Sequence, residues 1–61
     1  MNYRVLIVED DPMVSMINSQ FTRKVSGFEV AGVCRNGEEA LSFLDQNVVD
    51  LILLDVYMPV M

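Results

Sequence analysis

Histidine is absent from the 61 residues, and Cys34 is the only cysteine. Those two absences remove histidine-dependent catalytic dyads, zinc-finger chemistry and any disulfide within the chain. A lone cysteine also fits a reducing compartment. Cations are scarce: four Lys+Arg stand against nine Asp+Glu, for a net charge of -5. A nucleic-acid backbone is bound by clustered cations, so this segment is not expected to contact DNA or RNA. Long hydrophobic runs are missing too. The cleanest, Val5–Val8 and Leu51–Leu54, have four residues each, far short of the roughly 20 that cross a membrane. Glu9-Asp10-Asp11 cuts off the first run at once and excludes a signal peptide.

What is present is an apolar, acidic chain. Its apolar fraction is 52% and its mean hydropathy +0.35. A chain this short buries only about 60% of the surface its unfolded form exposes. Some apolar surface is therefore expected to stay exposed or to meet a partner.

The pattern alternates. Arg4–Val8 reads as a strand buried on both faces. Asp11 suits a helix N-cap and Pro12 the first helical position. Val14, Ile17 and Phe21 recur at helical spacing, with Met13 and Met16 beside them as expected core or helix packing. Arg23 and Lys24 suit that helix's last turn, and Gly27 its C′ position. Phe28–Cys34 reads as a second strand, weakened by Gly32. Asn36-Gly37 marks a turn and a helix start, with Glu38 and Glu39 in the first turn. Ala40, Leu41 and Leu44 are its expected apolar stripe. Asp50 opens a third strand, Leu51–Leu54, ended by Asp55. The order βαβαβ predicts a parallel sheet with right-handed crossovers. Two helices are too few to cover both faces of that sheet.

The carboxylates fall at informative places. Glu9 and Asp10 end the first strand, and Asp55 ends the third. If those strands are neighbours, the three acids converge on the sheet edge where open α/β folds bind ligands. Converging carboxylates repel. Mg²⁺ resolves the conflict, since it takes oxygen ligands and is commonly held by carboxylates plus a phosphate. The chemistry invited is phosphoryl transfer, with a carboxylate as nucleophile.

Three motifs now stand in order: Val5-Leu6-Ile7-Val8-Glu9-Asp10-Asp11-Pro12, Asn36-Gly37-Glu38-Glu39-Ala40-Leu41 and Asp50-Leu51-Ile52-Leu53-Leu54-Asp55-Val56-Tyr57-Met58-Pro59. Together they resemble the receiver domain of bacterial two-component response regulators. Ser26–Gly32 is similar to the regulators that sense citrate and C4-dicarboxylates. The resemblance implies a flavodoxin-like fold, truncated here to βαβαβ with strand order 2-1-3. It implies that Asp55 is the phosphoacceptor, that Asp10 ligates Mg²⁺ directly, and that Glu9 holds metal-bound water. It assigns the backbone carbonyl of Tyr57 as a main-chain metal ligand and Pro59 as the proline shaping the loop beyond the acceptor. The implied partner is a sensor histidine kinase, in the cytoplasm, with no membrane contact and no turnover chemistry.

A full receiver has strands in order 2-1-3-4-5. The family's Ser/Thr after strand four and Lys after strand five have no counterpart in residues 1–61. The chain is thus expected to be a partial receiver domain of a transcription regulator, whose DNA contacts belong to a C-terminal domain absent here. The open edge of strand three is a template for a second copy, giving 2-1-3-3-1-2. A self-associating fragment without phosphotransfer is the alternative this raises. A dehalogenase-type phosphatase fits less well, because Tyr57 stands where an aspartate is wanted. A flavin or dinucleotide site fits less well too, because Glu9-Asp10-Asp11 replaces the phosphate-binding loop.

Overall fold

The computed structural model describes residues 2–54. Five elements follow in chain order: β1 (Tyr3–Val8), α1 (Pro12–Lys24), β2 (Phe28–Cys34), α2 (Gly37–Gln46) and β3 (Leu51–Leu54). The strands form one parallel sheet in the order β2-β1-β3. β1 is central, and Val5, Leu6, Ile7 and Val8 are each at most 2% exposed. That burial on both faces is why the run carries no alternation.

The helix ends follow capping chemistry. Asp11 has an extended backbone, and its Oδ1 accepts the N–H groups of Met13 at 2.9 Å and Val14 at 3.5 Å. Pro12 is the first helical residue, where its missing N–H leaves no bond unmade. Asn36 caps α2 by accepting the Glu39 N–H at 2.9 Å. Val25, not a glycine, is the C-cap of α1. Gly27 therefore lies one residue beyond the expected C′ position, and its φ of 89° turns the chain into β2.

β1 and β2 do not pair evenly. Val5 pairs with Val30 but Leu6 pairs with Gly32, so Ala31 is an extra residue and forms a bulge. Strand side chains alternate in pairs, so the extra residue reverses β2's alternation. Val30 follows Val5 onto one face. Gly32 and Cys34 follow Leu6 and Val8 onto the other. On that second face Leu6, Val8, Cys34 and Ala40 form the core, with Phe43 and Val49 packed against it.

Two apolar assignments are corrected. α1 buries Ser15, Ser19 and Thr22, whereas Met13, Met16, Ile17 and Phe21 are 66%, 54%, 42% and 64% exposed. The three hydroxyls donate to main-chain oxygens in their own helix: Ser15 to Pro12 at 3.0 Å, Ser19 to Ser15 at 2.8 Å, and Thr22 to Asn18 at 2.8 Å. With those donors satisfied, small side chains can meet the sheet; Met13, Met16 and Ile17 stay exposed, and Phe21 lies at the rim, beside the open flank of β3. In α2, Ala40 and Phe43 face the core, while Leu41 is 71% exposed and Leu44 36%. Ala40 is thus in the core as expected, whereas Leu41 and Leu44 are not, and Phe43 takes the place beside it.

β3 has one hydrogen-bonded neighbour, and all four of its residues are exposed. Asp50 fixes its register on β1. The Arg4 N–H donates to Asp50 Oδ2 at 2.8 Å, and the Asp50 N–H donates back to the Arg4 carbonyl at 2.9 Å. Beside β3, Val5, Phe21, Val25, Phe28, Leu51 and Leu53 line an open apolar hollow of about 190 Å³.

Candidate functional site

Parallel strands deliver their C-terminal ends to one edge of a sheet. Here that edge carries Val8, Cys34 and Leu54, each paired in register through β1. Glu9 and Asp10 follow Val8 directly. The Glu9 N–H donates to the Cys34 carbonyl at 2.8 Å, which ties the acidic turn to the end of β2. The Glu9 side chain folds inward and is only 3% exposed. Its Oε1 accepts the Asp11 N–H at 3.1 Å. Asp10, between these two anchored residues, is exposed. Asp11 spends its carboxylate on the α1 cap, as its position before Pro12 suggested.

The turn thus presents one buried and one exposed carboxylate side by side. Both offer hard oxygens, the donor type that Mg²⁺ takes. Among the described residues no three acid, cysteine or histidine side chains come together as a metal cluster. The third expected acid, Asp55, lies outside the described residues, as do Tyr57 and Pro59. Leu54, the residue before Asp55, pairs with Val8, the residue before Glu9.

A second polar group stands at the start of α2. The Glu39 carboxylate accepts the Arg35 backbone N–H at 3.0 Å, and the Arg35 Nε and Nη2 at 3.1 and 3.0 Å. The Arg35 backbone N–H, then its guanidinium, holds Glu39 below the usual carboxylate range. Burial, and then the Glu39 charge, pushes the Cys34 thiol up. Cys34 is therefore a neutral packing residue at this edge, and its carbonyl is the part that holds the acidic turn. No side-chain type signals that role. Asn36 makes the N-cap half of a capping box with the Glu39 N–H, but the Glu39 carboxylate reaches one residue further back, to Arg35, and the signal for that is the four-residue spacing of opposite charges. A larger open hollow runs along α2 past Asn36, Glu38, Glu39 and Phe43, away from Glu9 and Asp10.

An open parallel sheet in the order 2-1-3, helices on both faces and acids at the strand ends define a flavodoxin-like unit. The model of the response regulator receiver domain matches residues 5–61, and the chain belongs to that family. It is similar to the transcriptional regulatory protein MalR of Bacillus subtilis, at 47% identity over 55 residues, covering 90% of this chain and 23% of the relative. It is similar to the probable C4-dicarboxylate response regulator DctR of Halalkalibacterium halodurans, at 48% identity over 56 residues, covering 92% of this chain and 24% of the relative. A solved chain from the crystal structure of the P1 domain of CheA3 in complex with CheY6 from R. sphaeroides superposes with a TM-score of 0.81. That match has 43% identity and covers 97% of this chain and 46% of the other. The chain spans about a quarter of the length of the curated relatives it matches. None of the helices among the described residues is long and apolar enough to cross a membrane.

Proposed function

We propose that this chain carries the acid pocket and the acceptor of a receiver that takes a phosphoryl group from a sensor histidine kinase onto Asp55. In that reaction the bond from phosphorus to the kinase histidine breaks as one to a carboxylate oxygen of Asp55 forms. Mg²⁺ would be held by Asp10, Asp55 and the backbone carbonyl of Tyr57, with Glu9 holding metal-bound water. When bound, the ion neutralises charge on the phosphoryl oxygens. Asp55 is the acceptor and the chain is not a turnover enzyme. The setting is cytoplasmic two-component signalling, with transcription controlled by a separate output domain.

The observation that carries this reading is the acidic turn at the end of β1. Glu9 is buried and braced by the Asp11 N–H, which leaves Asp10 exposed beside it. The pairing of Val8 with Leu54 supports placing Asp55 at the same edge. The kinase partner is supported by family membership. Incubation with acetyl phosphate and Mg²⁺, read by intact mass, is expected to give one phosphoryl adduct. Asp55→Asn should lose it, and Asp10→Asn should lose its dependence on Mg²⁺. An adduct that persists in Asp55→Asn removes Asp55 from the role.

A second reading rests on β3. Its outer edge is unpaired among the described residues, and all four of its residues are exposed. Two copies related by a two-fold would pair there in the order 2-1-3-3-1-2. Light scattering is expected to give twice the chain mass, and a folded monomer would dismiss this reading.

A further inference from the structure

We propose that Asn36-Gly37 is a site of spontaneous deamidation, gated by opening of the first turn of α2. This inference is independent of the phosphoacceptor reading. Both residues are exposed, and nothing lies within 4 Å of where a Gly37 side chain would begin. Gly37 is the first residue of α2, so its N–H has no partner within the helix. An unhindered backbone nitrogen thus follows an exposed carboxamide, the arrangement from which a five-membered succinimide closes.

The reaction balances with water alone. The Gly37 nitrogen attacks Cγ of Asn36, and a C–N bond forms. The Cγ–Nδ2 bond breaks, and ammonia leaves with the proton given up by the Gly37 nitrogen. Water then opens the ring at either carbonyl, giving aspartate or isoaspartate.

The folded geometry opposes the first step. Asn36 Oδ1 is held by the Glu39 N–H at 2.9 Å. The Glu39 carboxylate holds the Arg35 N–H on the other side of Asn36 at 3.0 Å. The two bonds straddle the reacting residue, and its backbone is extended, with φ -157° and ψ 176°. Ring closure has to turn the carboxamide off its cap, so it proceeds from molecules whose first turn has opened. Helix ends open at far lower cost than the whole fold. The products then differ. Aspartate is still an N-cap and adds a negative charge just beyond Cys34, whose carbonyl holds Glu9. Isoaspartate lengthens the main chain by one carbon and removes the cap.

The test is to age the 61-residue chain in mildly alkaline buffer and map peptides for aspartate and isoaspartate. Product at Asn36 is expected to outpace that at Asn18 and Asn47. Glu39→Ala should raise the Asn36 rate several-fold, and unfolding in urea should raise it further. Gly37→Ala, in open space, should lower the rate to that of the other asparagines. Product at Asn36 no faster than at Asn47 overturns the site. Equal rates in buffer and urea, or no change in Glu39→Ala, overturn the gate.

Discussion

Gly32→Ala places a methyl group where the Phe43 ring already lies. The new carbon would sit 2.7 Å from Phe43 Cε2, 2.8 Å from Cζ and 3.4 Å from Cδ2. The first two distances are well inside carbon contact, so the ring or β2 has to move. The ring is packed against Leu6, Val8, Cys34 and Ala40, and moving it loosens that contact. Overpacking of this kind costs about 1–3 kcal/mol. Alanine recovers about 0.5–1 kcal/mol over glycine within a strand. The net expectation is a loss centred on about 1 kcal/mol and reaching at most about 2.5 kcal/mol. For a chain this short each kcal/mol moves the thermal midpoint by about 4–8 °C. Urea and thermal unfolding of the wild type, Gly32→Ala, Phe43→Leu and the double variant form a complete cycle. The shorter Leu side chain vacates the contested space, so the double variant should be more stable than the two single losses add up to, by at least about 0.5 kcal/mol. An unchanged or raised midpoint for Gly32→Ala, or strict additivity in the cycle, refutes the argument from contact.

Other outcomes follow from the polar anchors. Asp50→Ala removes the acceptor for the Arg4 N–H and should cost about 1 kcal/mol; hydrogen exchange should speed at the Arg4 amide while the β1–β2 amides hold. Glu39 is held below the usual carboxylate range, so its contribution is present above its unfolded value and lost as pH falls through its folded one. The Arg35 amide resonance should follow that loss in acid, and in Glu39→Gln it should not. The Cys34 thiol is pushed up, so its contribution is full below the unfolded thiol value and lost as pH rises through the folded one. Iodoacetamide in mild alkali should therefore label Cys34 far more slowly in the folded chain than in urea.

Much of the architecture was legible in residue order. The unbroken run Val5–Val8 announced a buried central strand, and Asp11-Pro12 and Asn36-Gly37 announced both helix starts. Helix orientation was legible at Ala40 but not beyond it, for a physical reason. In α1, hydroxyls that satisfy themselves on their own helix can face the sheet as readily as carbon side chains. Met13, Met16 and Ile17 are therefore exposed, and Phe21 reaches only the open hollow beside β3. In α2, Phe43 meets the core because Gly32 leaves room for its ring, a match between residues distant in sequence. At the candidate site, the places of Glu9 and Asp10 were visible from the abrupt end of an apolar run. The Cys34 carbonyl was invisible, because a main-chain acceptor carries no mark in residue type.

The extra residue at Ala31 makes β2 sensitive to parity. In the letters Phe28–Cys34, every second side chain from Val30 onward appears to share a face, yet the folded strand divides them between two. Chain length between Val30 and Gly32 therefore carries information that residue identity does not. Deleting Ala31 would set Val30 and Gly32 side by side opposite Val5 and Leu6, so the bulge would close with every pair and every face kept. Deleting Val33 has no such remedy, because either Gly32 or Cys34 would then change face. Loss of Ala31 should thus do less damage than loss of its neighbour two residues on, and homologous strands are free to differ in length at this one point.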